Sequence, residues 1–328
     1  RPRLNLVITV IAGGVGAARM LRALLEVVDG SEVTAIVNVG DDLVLNGLHI
    51  SPDLDTVTYT LAGAINSDTG WGLTDESWQA RTMLEQYGGA SWFGLGDRDL
   101  GTHLYRTQRL AEGADLAAVT GEIARAWGLS VTVLPATCDA LRTMVTLAED
   151  DVDLSGAEPL PAGSEIGFQE YFVQRQHSVP VSAVRFDGAE RTSPAPGVLE
   201  AIADADVVIV APSNPLVSIA PVLAVPGIRE ALIARRETVV AVSPIVAGAA
   251  LKGPADRMLS ELGHDASVVG VARLCRDFAA TLVIDTQDST RAAEVEEQGM
   301  RCVVTETIMS RPGVSESLAR IVLTGAAP

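Results

Sequence analysis

Apolar residues along the chain fall into short β-branched runs separated by stretches of helical period. Residues 4–11 form the first run, which ends in Gly13-Gly14-Val15-Gly16. Residues 19–28 repeat with a helical period, and 33–39 form a second buried run ending at Gly40-Asp41-Asp42. Strand, glycine turn, helix and strand in that order make the unit of a doubly wound sheet. Ser51-Pro52-Asp53 predicts a helix start, with a Ser cap, proline in the first turn and acids near the positive end. That helix is expected to run to about Asn66.

The alternation returns after Gly197. Strands are predicted at 206–211, 238–242, 281–285 and 301–305. Helices are predicted at 217–234, 255–262, 272–278 and 315–324, the first broken near Pro226-Gly227. Between the two ends, residues 71–186 lack this rhythm. They hold Trp71, Trp78, Trp92 and Trp127, helical stretches at 76–87, 100–112 and 116–127, and short strands at 130–134 and 142–147. The acidic, Pro- and Gly-rich stretch 149–163 reads as an exposed loop. The expectation is an α/β fold: a Rossmann-like, doubly wound, mostly parallel sheet built from 1–70 and 190–328. A largely helical insertion, 71–189, is expected to cover the substrate site.

Composition supports that class. Hydrophobic residues make up 48% of the chain but aromatic ones only 4%, which suits a parallel sheet buried under helices. A net charge of −18 with no basic stripe argues against a nucleic-acid or anionic-membrane partner. Small phosphates remain possible ligands, because local backbone dipoles and metals hold them whatever the global charge. Cys138, Cys275 and Cys302 are far apart and have no CxxC spacing. That fits a reducing, cytoplasmic setting and argues against a thiolate zinc site. The apolar N-terminal run leads straight into a glycine turn, so it reads as a strand and not as a signal peptide. Base rates favour a homodimer.

Ligands of open parallel sheets sit beyond the carboxyl ends of the strands, so the residues there carry the candidate chemistry. Gly13 to Gly16 suit backbone N–H contacts to a phosphate, or simply a tight turn. Ser213-Asn214-Pro215 offers a hydroxyl and an amide for a phosphate or a base edge; the alternative is an Asn capping its own backbone. Ser243-Pro244 follows another strand. Asp41-Asp42 and Asp53-x-Asp55 supply the oxygen ligands that Mg²⁺ takes beside substrate phosphates. Each acid alone equally suits a turn or a helix N-terminus. Gly96-Asp97-Arg98-Asp99 leads to Thr102-His103 and Arg106. An Arg here suits a carboxylate or phosphate, and His103 is either a general base or a packed residue. Trp71 and Trp78, seven apart, are read as stacking on a flat ring or as core. A nicotinamide-dependent oxidoreductase fits poorly, because there is no GxGxxG and the second strand ends in Gly-Asp-Asp.

Six segments taken together resemble the 2-phospho-L-lactate transferase family of coenzyme F-420 biosynthesis, whose mycobacterial counterpart is the phosphoenolpyruvate transferase. They are Ile11 to Gly16, Val37 to Asp42, Ser51 to Thr56, Leu95 to Leu104, Ala211 to Pro215 and Ser243 to Val246. The resemblance implies a guanosine diphosphate diester donor carrying lactate, enolpyruvate or glycerate. The terminal ribityl hydroxyl of the deazaflavin Fo attacks the outer phosphate, GMP leaves, and Mg²⁺ assists. It further implies that Gly13, Gly14, Val15 and Gly16 cradle the donor phosphates, while Ser213, Asn214, Pro215 and Ser243 face guanosine. Asp55 would be catalytic at the metal and the Fo hydroxyl, with Asp53, Asp41 or Asp42 as companion ligands and Arg98 near the acceptor. Asp55→Ala is then expected to remove most turnover while leaving the fold intact. A nucleotide-sugar-binding regulatory group shares the fold, but the Gly96 to Asp99 block favours the transferase.

Overall fold

The structure, a computed structural model, describes residues 6–152 and 157–325. Seven parallel strands form the central sheet: β1 (Ile8–Ala12), β2 (Val33–Val37), β3 (Thr132–Pro135), β4 (Val207–Val210), β5 (Val239–Val242), β6 (Thr281–Asp285) and β7 (Arg301–Thr305). Their spatial order is 3-2-1-4-5-6-7, with every neighbouring pair parallel. All residues of β1, β4, β5 and β6 are buried, because helices cover both faces of the sheet. The order reverses between β1 and β4, so the loops leaving their carboxyl ends part around a crevice.

Most predicted strands stand within one or two residues of their place. The run predicted at 4–11 begins outside the described residues and is a strand from Ile8. Helix α1 (Gly14–Leu24) begins in the glycine turn itself. Helix α2 (Pro52–Leu61) stops short of Asn66 because Gly63 takes the left-handed φ of +69°. Its amide and that of Ala64 bond back to Thr60 and Tyr59, closing the helix end. The predicted Ser51 cap is absent: its hydroxyl donates instead to Asp42 Oδ2 at 2.8 Å. The helix predicted at 272–278 lies earlier, at Val268–Cys275, where Ser267 caps it by accepting from the Gly270 amide.

The middle segment departs most from expectation. Helices α3 (Gln79–Gln86), α4 (Asp99–Ala111) and α5 (Leu116–Ala126) are present. However, β3, read from sequence as part of the covering insertion, is the edge strand of the main sheet and pairs with β2. Beyond it lies a three-stranded antiparallel sheet of Arg142–Leu147, Glu165–Gly167 and Val181–Asp187. The covering region thus carries a small antiparallel sheet beside its helices. A second apolar cluster, including Phe168, Tyr171, Val217 and Met258, ties this small sheet to the main body. The loop predicted at 149–163 lies partly outside the described residues; its ends bridge Asp151 to Leu160. No single helix among the described residues is long and apolar enough to cross a membrane.

Candidate active site at the carboxyl edge of the sheet

The crevice between β1 and β4 opens into a cavity of about 850 Å³. Gly13, Gly14, Val15 and Gly16 line it from the end of β1, Asp41 from the β2 loop, and Asp53 and Asp55 from α2. Ser213 and Asn214 line it after β4, and Ser243 after β5. Loops from distant parts of the chain meet here because the parallel strands all end on one edge.

Close packing explains the glycines. Gly14 has the left-handed φ of +69° as the chain turns into α1. A Cβ at Gly16 would overlap the Pro212 carbonyl, so only glycine lets the two loops touch. Ser213 Oγ fastens them further by donating to the Gly13 carbonyl at 2.6 Å. Asn214 accepts from the Leu216 amide at 2.9 Å, so half of its amide shapes the turn while the residue lines the cavity. Ser243 Oγ is held by the Ile245 backbone, donating to its carbonyl at 3.0 Å and accepting from its amide at 3.1 Å.

Acids crowd the opposite wall. Asn38 organises them: its Nδ2 donates to Asp53 Oδ2 at 2.9 Å, and its Oδ1 accepts from the Gly40 amide at 2.7 Å. Burial pushes Asp53 up to about 6, despite hydrogen bonds from Asn38 and the Gly14 amide. Asp41 is raised well above the usual carboxylate range by burial and by the charge of Asp53. Asp41 Oδ1 is buried and has no hydrogen-bond partner among the described residues. Two facing carboxylates, one with an orphaned oxygen, are a donor set suited to a hard divalent cation. Asp42 differs. Burial lifts it to about 7 and its Oδ1 too has no partner among the described residues, but its Oδ2 accepts from Ser51 and the residue does not line the cavity.

Below them lies a buried network. Arg106, only 2% exposed, holds Asp55 with two hydrogen bonds: Nη1 to Oδ2 at 3.2 Å, and Nη2 to Oδ1. The same Nη1 lies 3.3 Å from His103 Nδ1. A guanidinium only donates, so this contact makes Nδ1 the acceptor and puts the imidazole proton on Nε2. Nε2 lies 3.2 Å from Asp99 Oδ2, and Tyr59 Oη donates to Asp99 Oδ1 at 2.6 Å. Burial opposes the charge on Asp99, but its contact with His103, the Tyr59 hydroxyl and the nearby Arg106 cation outweigh it, so its acidity is strengthened. Among the described residues Asp55, Asp99 and His103 lie close enough to share a metal ion, yet Arg106 already sits against Asp55.

Three of the residues picked from sequence stand apart from the cavity. Arg98 is exposed, and its Nη1 donates to the Thr74 carbonyl at 2.6 Å; it does not line the cavity. Pro215 and Asp42 also lie outside the lining. The Gly96 to Asp99 block divides. Asp97 accepts from the Gln79 and Ala80 amides and so starts α3, while Asp99 turns into the cavity. Trp71 and Trp78 are not on a shared helix and are not core, being 47% and 39% exposed; Trp71 lines the cavity.

A family model described as 2-phospho-L-lactate transferase CofD matches residues 8–318. The chain belongs to the 2-phospho-L-lactate transferase family. It is thus a transferase of the family that serves coenzyme F-420 biosynthesis, as its six sequence segments imply. Relatives of this transferase include the phosphoenolpyruvate transferase of Streptomyces griseus subsp. griseus, 43% identical over 318 residues, or 95% of this chain and 96% of that one. The phosphoenolpyruvate transferase of Mycobacterium sp. (strain JLS) is 40% identical, again over 95% and 96% of the two chains. A crystal structure of a UPF0052-family protein from Bacillus halodurans shares the fold, with a TM-score of 0.58 and 17% identity over 98% of this chain and 99% of that one.

Several residues of this transferase's cavity escaped the sequence reading. Asn38, which holds Asp53 from behind the cavity wall, stands in the sequence only as part of a motif. Arg19, Phe168, Phe172 and Lys252 line the cavity from segments read as plain helix, insertion or loop. No local pattern marks them.

Proposed function

We propose that the protein transfers an enolpyruvyl phosphate group from a guanosine diphosphate diester to the terminal ribityl hydroxyl of the deazaflavin Fo, releasing GMP. The observation that carries this reading is one cavity lined by the Gly13 to Gly16 loop, the Asp41/Asp53 pair and Asp55. The choice of enolpyruvate over lactate or glycerate rests on the names of relatives 39–43% identical.

The hydroxyl oxygen forms a bond to the outer phosphorus, and the bond from that phosphorus to the bridging oxygen breaks. The electron pair leaves with GMP, and the hydroxyl proton passes to Asp55. Arg106 keeps the Asp55 carboxylate oriented for that proton. Amides of the glycine loop at the α1 N-terminus orient the diphosphate. Ser213, Asn214 and Ser243 face the guanosine end. Phe168 and Phe172 offer flat apolar walls to a ring system. Asp41 and Asp53 would hold Mg²⁺, which supplies charge neutralisation at the diphosphate. Positioning and charge balance are what such transfers chiefly require.

The test is mass spectrometry of products formed from Fo and the three synthetic diesters with Mg²⁺. The enolpyruvyl diester should give the phosphodiester of Fo together with GMP. Preference for the lactyl diester would replace the donor assignment. No product from any diester would overturn the reading.

A further inference from the structure

Four buried carboxylates, Asp41, Asp53, Asp55 and Asp99, line the cavity of a chain whose net charge is −18. A diphosphate that enters meets like charge at short range, where burial limits screening. Arg106 offers no relief, because both of its terminal nitrogens are held by Asp55. Two other cations line the same cavity: Arg19 on α1, and Lys252 in the loop before the helix Ala255–Glu261. Neither has an ion-pair or hydrogen-bond partner among the described residues.

Their placement is specific. Arg19 stands one helical turn beyond Val15 of the glycine loop, on the same face of α1. Lys252 is the single lysine of the chain. A Cβ built on Gly70 would lie 3.0 Å from Lys252 Nζ and 3.8 Å from Val15 Cγ1, so the ammonium stands near the glycine loop. Both cations thus line the cavity beside that loop. Exposed cations without partners contribute little to stability, so folding alone does not account for them.

We propose that Arg19 and Lys252 form a two-cation clamp on the non-bridging oxygens of the donor's diphosphate, an inference that rests on the transferase reading above. The guanidinium holds two oxygens side by side, and the ammonium acts as a point charge. Both stand where negative charge gathers on the departing GMP, so the clamp serves binding and bond cleavage together.

Calorimetric titration with GDP and Mg²⁺ tests it on the wild type, Arg19→Met, Lys252→Met and Lys252→Arg. Each Met variant should bind GDP about tenfold more weakly, and Lys252→Arg should stay within about threefold of the wild type. GDP affinity unchanged in both Met variants overturns the clamp and leaves the transferase reading standing. A wild type that binds no GDP overturns both. The lone lysine permits an independent check, reductive labelling with pyridoxal phosphate mapped by peptide mass. GDP should protect Lys252 from the label; labelling at the same rate with saturating GDP would also overturn the clamp.

Discussion

Arg106 and Asp55 lie 51 positions apart in sequence and meet as a buried, doubly hydrogen-bonded pair beneath the cavity. This pair changes what a substitution at Asp55 tests. Asp55→Ala would strand a buried guanidinium, so the simple expectation of an inactive but intact protein does not hold. Breaking a buried pair from one side costs about 3–5 kcal/mol. Asp55→Asn keeps an oxygen toward Arg106. It should lose at least about a hundredfold in kcat and still fold, with a loss of stability in urea smaller than that of Asp55→Ala because one accepting oxygen remains though the charge does not. Near-normal turnover in that variant would remove Asp55 from the chemistry.

Removing the other partner gives the complementary result. Arg106→Met leaves the Asp55 carboxylate buried without its cation, and stability should fall by about 3–5 kcal/mol. The double variant Asp55→Leu/Arg106→Met leaves no charge stranded and should recover much of that loss without recovering activity. Additive losses in the double variant would mean that the pair is not coupled.

The four candidate metal aspartates separate by position. Asp41→Asn and Asp53→Asn should each weaken Mg²⁺ binding about tenfold or more, because both side chains line the cavity. Asp42→Asn should change it by less than about threefold, because its carboxylate turns to Ser51. Titration with Mn²⁺ followed by electron paramagnetic resonance reads all three. A large effect at Asp42 alone would reverse the assignment.

Asp42 makes a different prediction about pH. Its pKa is raised from the ordinary 3.8 to about 7 in the folded protein. Unfolded chains then release the proton first, so the cost to the fold is absent below pH about 4, grows between 4 and 7, and is constant above. Asp42→Asn has no proton to lose. It should therefore gain on the wild type through that window, reaching on the order of 4 kcal/mol at pH 8 by urea unfolding in metal-free buffer. Parallel stability curves for the two proteins would mean that the Asp42 shift is not real.

Gly16→Ala tests the loop contact. The added methyl meets the Pro212 carbonyl. Overpacking of this kind costs about 1–3 kcal/mol, and parting the two loops should weaken GDP binding as well. Thermal melting and calorimetry read the two effects; unchanged values for both would show that the loops are not in close contact.

Much of this protein is legible without coordinates. β-branched runs ending in glycine or acid fix the buried strands, because only a sheet covered on both faces buries such runs. Periodicity likewise finds α1, α4, α5 and the last helix. The six segments identify the family, and each of them brings at least one residue to one cavity. Local patterns fail where a residue's role depends on a distant partner. Ser51 reads as a helix cap, yet Asp42 draws its hydroxyl away. Arg98 and Arg106 lie eight positions apart in one sequence block, but one reaches the Thr74 carbonyl at the surface and the other is sealed against Asp55.

Sequence alone determined the order of strands and helices, the glycine turn that starts α1, and the family's motifs, since each depends on sterics and hydrophobic period within a few residues. Tertiary structure alone decided that β3 joins the main sheet, that Asp41 comes near Asp53 while Asp42 turns aside, and that Arg19 and Lys252 line one cavity. Those outcomes depend on which strands become neighbours and how far charges sit from one another after folding. Such distances are set by the packing of the whole chain.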